Sequence, residues 1–231
     1  MPQSIIKPFN VDSTNHQQTL RQGAQTLALT LSDIQISQLL AYHVLIQKWN
    51  KVYNLTAIRD PAEMLTHHLL DSLAIVAPLN RQIVRQTSSA SVNVNMLDVG
   101  AGAGLPGVVV AICCPQVSVT CVDAVAKKMA FVQQVATELK LPNLKALHAR
   151  VETLTDKYDV ITSRAFATLL DFVTGSHAAL KPATGVWLAM KAKDTATEIA
   201  ALPSHVDVFH VEQLVVPGLN AERCIVWMRS K

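Results

Sequence analysis

The sequence has few charged residues and few aromatic rings. Charged residues make up 16% of its 231 residues and aromatic residues 5%, whereas hydrophobic residues make up 50%. A chain this apolar can bury a large core, so its composition excludes a mainly disordered protein. The net charge is only +3. This charge permits an anionic partner but does not indicate one, because many proteins without nucleic-acid ligands carry a similar charge.

Cysteine is scarce as well, and none of its spacings is typical of a metal or redox site. The chain has four cysteines and no C-x-x-C pair; they are Cys113, Cys114, Cys121 and Cys224. Three of them lie in apolar patterns, where a free thiol packs as a small hydrophobic group. We therefore expect reduced, buried, structural cysteines and no metal site.

Targeting signals and membrane spans are not evident. Met1–Lys7 lacks a basic start followed by an apolar stretch of about 7–15 residues, the pattern of a signal peptide. Met96–Cys114 is long and apolar, but Asp98, Pro106 and the lack of flanking basic residues argue against a membrane helix. We expect a cytoplasmic protein without a membrane partner.

The most informative stretch is a predicted buried strand, Val92–Asp98, followed by a glycine-rich loop and a helix that opens at about Pro106. Three interpretations compete. The glycines could only permit tight packing, or Gly102–Gly107 could be the G-x-G-x-x-G of a dinucleotide site. The longer pattern of Asp98, three alternating glycines and an acid, Asp123, closing the next strand is the arrangement of S-adenosylmethionine-dependent methyltransferases.

Charge distinguishes the second interpretation from the third. A dinucleotide places a pyrophosphate at the helix N-terminus, where Asp98 would repel it. S-adenosylmethionine instead carries an ammonium and a sulfonium, and its ribose offers two hydroxyls to an acid such as Asp123. The residues themselves therefore predict a methyl-donor site that includes Asp98, Gly102 and Asp123.

The rest of the chain predicts an α/β protein of the Rossmann-like class I methyltransferase type with an N-terminal helical cap. Residues 1–80 are expected to form the cap, with a poorly ordered tail to about residue 15 and helices from about Thr19, after Ser32 and after Asp60-Pro61. A loop is expected over 81–91. Residues 92–231 are expected to form the core. Its further strands are predicted at 117–123, 144–148, 158–163, 186–191, 205–215 and 223–229, with helices at 106–114, 126–139, 169–180 and 195–202.

Four motifs in order resemble one family. They are Trp49-Asn-Lys-Val-Tyr-Asn-Leu-Thr56, His67-His68 with Asp71-Ser72, the loop Asp98–Gly107, and Ser163-Arg-Ala-Phe-Ala167. Together they resemble the small-subunit ribosomal RNA methyltransferase G family, also called glucose-inhibited division protein B. One departure is Ala101, where the family often has threonine. The resemblance implies methyl transfer from S-adenosylmethionine to N7 of a guanine in bacterial 16S ribosomal RNA, guanine 527.

The resemblance also implies partners and site residues. Methyl-donor contacts carried over from the family are Gly100, Leu105, Val151, Glu152 and Arg164. The partner is 16S ribosomal RNA or the small ribosomal subunit, and we expect a monomer that does not bind DNA. A methyltransferase acting on a small molecule or a protein is the alternative, because the fold does not fix the substrate.

The expected chemistry requires positioning more than proton transfer. Guanine N7 has a lone pair and no proton to remove, so no general base is needed. Arg164, Asp71 and Lys191 are the candidates for a chemical role, and His67 and His68 are weaker ones. Basic residues at predicted element ends are candidates for RNA contact: Lys48, Lys51, Arg59, Lys127, Lys128, Arg164, Lys191 and Lys193.

Overall fold

Helices make up the first part of the computed structural model, which describes residues 11–86, 93–164, 168–192 and 195–231. They are α1 (Val11–Thr26), α2 (Asp33–Tyr53), α3 (Pro61–Met64), a π-helical segment (Leu65–Leu70), α4 (Asp71–Leu73) and α5 (Val76–Gln86). Ser32 caps α2 in a reciprocal capping box with Gln35, and Asp60 caps α3 with Pro61 in its first turn. Both predicted helix starts are confirmed.

Two predictions for this region are wrong. Helix α1 begins at Val11 and not near Thr19, so residues 11–15 are not a disordered tail, while residues 1–10 lie outside the described residues. Helix α5 continues to Gln86, so residues 81–86 of the expected loop are helical, and residues 87–91 lie outside the described residues. The polar composition of this segment was misleading, because Leu79 and Ile83 are buried on one face of α5 while Arg81 and Arg85 remain exposed.

A seven-stranded sheet follows the helices. Its strands are β1 (Val94–Val99), β2 (Val117–Asp123), β3 (Leu144–His148), β4 (Val160–Arg164), β5 (Val186–Ala192), β6 (Val206–Leu214) and β7 (Arg223–Ser230), in the order β3-β2-β1-β4-β5-β7-β6. The pairs among β1 to β5 are parallel, and β7 is antiparallel to both of its neighbours. The strand order reverses between β1 and β4, so ligands are expected beyond the carboxyl ends of these strands.

Helices connect the parallel strands. They are α6 (Gly107–Cys113), α7 (Ala126–Glu138), α8 (Leu169–Ser176) and α9 (Ala196–Ala200), with 3-10 turns at Val151–Thr153 and His177–Ala179. Pro106 is the N-cap residue of α6 and not its first residue, and α8 gives way to a 3-10 turn before Leu180. Strand β4 begins later than predicted, because Tyr158 makes only an isolated bridge. The predicted α/β class with a helical N-terminal region is confirmed.

Helix α2 fastens the cap to the core. The Gln35 amide donates to the carbonyl oxygens of Ile112 and Cys113 at the end of α6, at 3.1 and 3.2 Å. The Gln38 amide donates to the Leu139 carbonyl at the end of α7, at 2.9 Å. These contacts satisfy carbonyls that a helix end leaves unpaired. One hydrophobic cluster also includes residues of both the cap and the sheet.

The four cysteines are free thiols, as predicted; Cys113 is half-buried and the other three are buried. Among the described residues, no helix is both long and apolar enough to cross a membrane. The same residues contain no group of three or more histidine, cysteine or acidic side chains that could hold a metal ion.

Candidate functional site

The glycine loop lies at the carboxyl end of β1. Gly100, Gly102 and Gly104 have φ values of +65°, +58° and +87°, in the left-handed region that favours glycine. A Cβ added at Gly104 would lie 2.5 Å from the Val108 side chain, so this glycine is needed for packing. A Cβ at Gly102 would lie 3.9 Å from the Gly100 carbonyl oxygen, its nearest neighbour among the described residues apart from the adjacent ones in the chain. The backbone of Gly102 therefore faces open space that a ligand could enter.

Asp98, near the end of β1, binds the backbone at the far end of the glycine loop. One of its oxygens, Oδ2, accepts a hydrogen bond from the Gly107 backbone N–H at the start of α6, at 2.8 Å. The side chain has no exposed surface, and Oδ1 has no hydrogen-bond partner among the described residues. Burial raises the pKa of Asp98 to about 7, and the Gly107 bond opposes this rise only in part. The protein thus leaves a buried carboxylate half-paired beside the loop.

Asp123 ties the glycine loop to β2. Its Oδ2 accepts from the Gly102 N–H at 3.0 Å, and its Oδ1 accepts from the Val125 N–H at 2.9 Å. The Lys128 ammonium is 3.4 Å from Oδ2. Oδ2 accepts from both groups, but Oδ1 has a second lone pair that could accept a hydrogen bond from a ligand.

The parallel strands bring the other predicted methyl-donor contacts to the same edge. Leu105 is buried in the loop. The short turn after β3 contains Val151, which is buried, and Glu152, which is exposed. Arg164 ends β4, and the Ser163 hydroxyl donates to the Val99 carbonyl of β1 at 3.0 Å. The rest of that motif, residues 165–167, lies outside the described residues, as does Lys193.

Asp71 joins two arginines in a cluster that we call the arginine clamp. Arg164 Nη1 donates to Asp71 Oδ2 at 3.0 Å and to the His67 carbonyl at 2.7 Å, and Arg223 Nε donates to Asp71 Oδ1 at 3.1 Å. The Asp71 side chain is 4% exposed, whereas those of Arg164 and Arg223 are 20% and 23% exposed. The buried carboxylate therefore forms ion pairs with two arginines, one at the end of β4 and one at the start of β7.

Sequence reasoning missed Arg223. Its contact with Asp71 joins residues 152 positions apart, and Arg223 is at the start of an antiparallel strand, so no local pattern marked it. It also missed Tyr42, a buried residue of α2 whose hydroxyl donates to the Ala103 carbonyl in the glycine loop at 2.6 Å. Tyr42 lies on the apolar face of α2, where its spacing is that of an ordinary core residue.

The remaining candidates are held by other parts of the protein. The Lys191 ammonium is 2.8 Å from Glu198 Oε2, which also accepts from the Leu169 N–H, so Lys191 links β5 to α9. His68 Nε2 is 2.7 Å from the Thr56 hydroxyl. Burial and the nearby Arg164 charge lower the pKa of His68 to about 4, so its ring is neutral at physiological pH.

The fold and the loop define a class of protein. A parallel sheet with an antiparallel strand inserted near one edge, a glycine loop after β1 and an acid ending β2 form the class I fold of S-adenosylmethionine-dependent methyltransferases. Two solved structures share the fold. TrmN from Thermus thermophilus matches with a TM-score of 0.53 and 18% identity, covering 72% of this chain and 53% of that one. The ribosomal protein L11 methylase from Lactobacillus delbrueckii subsp. bulgaricus matches with a TM-score of 0.50 and 13% identity, covering 65% of this chain and 76% of that one.

Sequence comparison narrows the class to a family. The family model for rRNA small subunit methyltransferase G matches residues 35–226. A protein named ribosomal RNA small subunit methyltransferase G from Albidiferax ferrireducens is 64% identical over 93% of this chain and 97% of its own length. A protein of the same name from an Acidovorax species is 62% identical over 95% of this chain and 97% of its own length. The chain belongs to the rRNA small subunit methyltransferase G family, which confirms the resemblance seen in the motifs.

Proposed function

We propose that the protein transfers a methyl group from S-adenosylmethionine to N7 of a guanine, guanine 527, in 16S ribosomal RNA. The observation that carries this proposal is the family match over residues 35–226, which includes both the glycine loop and the arginine clamp. We further propose that the protein works as a cytoplasmic monomer without a DNA or membrane partner.

The glycine loop fits this methyl donor. Gly102 presents its backbone to open space. The half-paired side chain of Asp98 suits a cationic ligand, because positive charge near the loop would favour the ionised form of a group whose pKa burial raises. Asp123 retains one lone pair, on Oδ1, for a ribose hydroxyl. The other proposed contacts are Gly100, Leu105, Val151, Glu152 and Arg164.

The charge of the site suits attack by N7. S-adenosylmethionine supplies an electrophilic methyl group, and the attacking nitrogen needs no base because it carries no proton. His68, which is buried beside the arginine clamp, is neutral and hydrogen-bonded to Thr56. The product base is a cation, which Arg164 and Arg223 alone would disfavour. Asp71 neutralises one of their two charges and so lowers the positive potential near them.

The test compares 16S ribosomal RNA from cells with and without the protein. We expect loss of one N7-methylguanosine, detected by chemical cleavage at the modified base, and its restoration by purified protein with S-adenosylmethionine. Methylation of another atom would refute the N7 assignment. Unchanged ribosomal RNA would favour a small-molecule or protein substrate on the same fold.

A further inference from the structure

One acidic side chain joins two segments that leave the sheet at its ligand side. Glu198 lies on α9, and its Oε2 accepts a hydrogen bond from the Leu169 N–H at 2.7 Å and lies 2.8 Å from the Lys191 ammonium. We infer that Glu198 is a positioning residue for methyl transfer, which fixes the start of α8 and the end of β5 beside Arg164. The inference rests on the proposed function and adds a residue to the machinery of that reaction.

The two segments leave the ends of neighbouring strands. Strands β4 and β5 are parallel, and Arg164, the last residue of β4, lies opposite Met190 of β5. Lys191 is therefore only one residue further along β5 than the partner of Arg164. Leu169 begins α8 five residues after Arg164. Open parallel sheets bind ligands beyond the carboxyl ends of their strands, so both contacts of Glu198 lie at the edge where the methyl group would be transferred.

Glu198 and the arginine clamp hold this edge from opposite faces of the sheet. Successive side chains of a strand point to opposite faces, and paired side chains of neighbouring strands point to the same face. Met190 belongs to the hydrophobic cluster that includes the cap, whereas Cys224, the partner of Lys191 in β7, belongs to the cluster that includes α8. Arg164 therefore faces the cap, as Met190 does, and Lys191 faces α8. The carboxyl ends of β4 and β5 are thus fastened on both faces.

Both partners of Glu198 depend on it. The Thr168 hydroxyl caps α8 by accepting from the Asp171 N–H, so it leaves the Leu169 N–H to another acceptor. The Lys191 side chain is only 12% exposed, and the described residues offer its ammonium no second carboxylate within 4.0 Å. A donor or cation left unpaired in such a place is costly. Without Glu198, the start of α8 and the Lys191 side chain would therefore shift toward water or other partners.

The chemistry of these contacts separates a positioning role from a contribution to stability alone. Both contacts use one oxygen of Glu198, so glutamine can keep both hydrogen bonds and lose only the charge. Aspartate keeps the charge, but its side chain is one methylene shorter, so at least one contact lengthens. Alanine removes both contacts. A misplacement of about 1 Å at a reacting site can slow a reaction about 100-fold, even when the substitution lies away from the chemistry.

The experiment measures the single-turnover rate of methyl transfer to 16S ribosomal RNA at saturating S-adenosylmethionine, below the melting temperature of every variant. The matched control is Asp159→Ala. Asp159 also binds a lysine and a backbone N–H, with Lys181 at 2.8 Å and the Asn95 N–H at 3.0 Å. It directly precedes β4, however, and so lies at the opposite end of the strands. Melting temperature and affinity for S-adenosylmethionine are measured for each variant.

We expect Glu198→Ala to lower the rate about 10- to 100-fold and Glu198→Asp to lower it at least about fivefold, whereas Glu198→Gln should stay within about threefold of the wild type. Asp159→Ala should lower the melting temperature as Glu198→Ala does but keep the wild-type rate. Affinity for S-adenosylmethionine should change less than about threefold in all four variants, because Glu198 contacts neither the glycine loop nor Asp123.

A wild-type rate for Glu198→Ala, or for Glu198→Asp where the alanine variant does not fold, would overturn the inference. Equal rate losses for Glu198→Ala and Asp159→Ala, or a Glu198→Gln variant as slow as Glu198→Ala, would do the same. Failure of the proposed function is distinguishable, because it would appear in the wild type itself. A wild type that transfers no methyl group to ribosomal RNA would refute the proposed function and the inference with it, whereas the outcomes above would refute the inference alone.

Discussion

Replacing Asp71 with asparagine tests the arginine clamp with the smallest change of shape. Asparagine keeps one carbonyl oxygen, so it can still accept from either Arg164 or Arg223. Its amide group, however, presents N–H donors to the other guanidinium, and the negative charge between the two cations is lost. Both arginines then remain close together with no described carboxylate between them.

The size of the effect follows from burial. Removing one partner of a buried ion pair costs about 3–5 kcal/mol, because the remaining charge is left uncompensated. Arg164 and Arg223 keep 20% and 23% of their side-chain surface in water, so we expect the lower end of this range, about 3 kcal/mol. For a chain of this size, that loss lowers the melting temperature by roughly 6–12 °C.

The assay is urea denaturation together with the single-turnover rate of methyl transfer. The matched control is Asp207→Asn, whose partner Arg229 lies 2.8 Å away in a far more exposed pair, with side chains 32% and 58% exposed. The control should lose less than about 1 kcal/mol and keep its rate. In a double-mutant cycle, Arg223→Met should cost much less in the Asp71→Asn background than in the wild type. Equal losses for the two asparagine variants, with no coupling in the cycle, would refute the clamp.

Three further variants test the glycine loop. Gly102→Val should abolish binding of S-adenosylmethionine in calorimetry, because a branched side chain is strained at a φ of +58° and would project into the open space; unchanged affinity would remove Gly102 from the site. Tyr42→Phe removes the bond to Ala103 and should cost about 0.5–1.5 kcal/mol of stability in urea, with weaker donor binding; an unchanged affinity would confine Tyr42 to packing. Asp98→Asn tests the buried acid, because folding raises the pKa of Asp98 from 3.8 to about 7. Between pH 3.8 and about pH 7, the folded wild type keeps a proton that the unfolded chain has lost. The stability of the wild type therefore falls as pH rises through this range. In urea titrations without ligand, the stability of Asp98→Asn relative to the wild type should grow from about pH 4 to pH 7 and then level off. A stability difference that does not depend on pH would contradict this expectation.

The sequence by itself determined the parts that depend on neighbouring residues. Alternating glycines after a buried strand marked the loop, and an acid at the end of the next strand marked Asp123. Ser32 and Asp60 marked two helix starts because N-caps bond to N–H groups only two or three residues away. Since parallel strands deliver their carboxyl ends to one edge, this local information also placed Arg164 near the loop.

Only the tertiary structure decided which side chains meet across the fold. Asp71 meets Arg223 across 152 positions, and Tyr42 meets Ala103 across 61. Such contacts depend on how the cap packs against the sheet and on the antiparallel insertion of β7, neither of which leaves a periodic signal. The same packing commits Lys191 to Glu198, although the sequence presented Lys191 as a cation directed at a ligand. A charge pattern shows that a cation is present, but its partner is set by the three-dimensional neighbourhood, because electrostatic and hydrogen-bond energies depend on distance in space and not on separation along the chain.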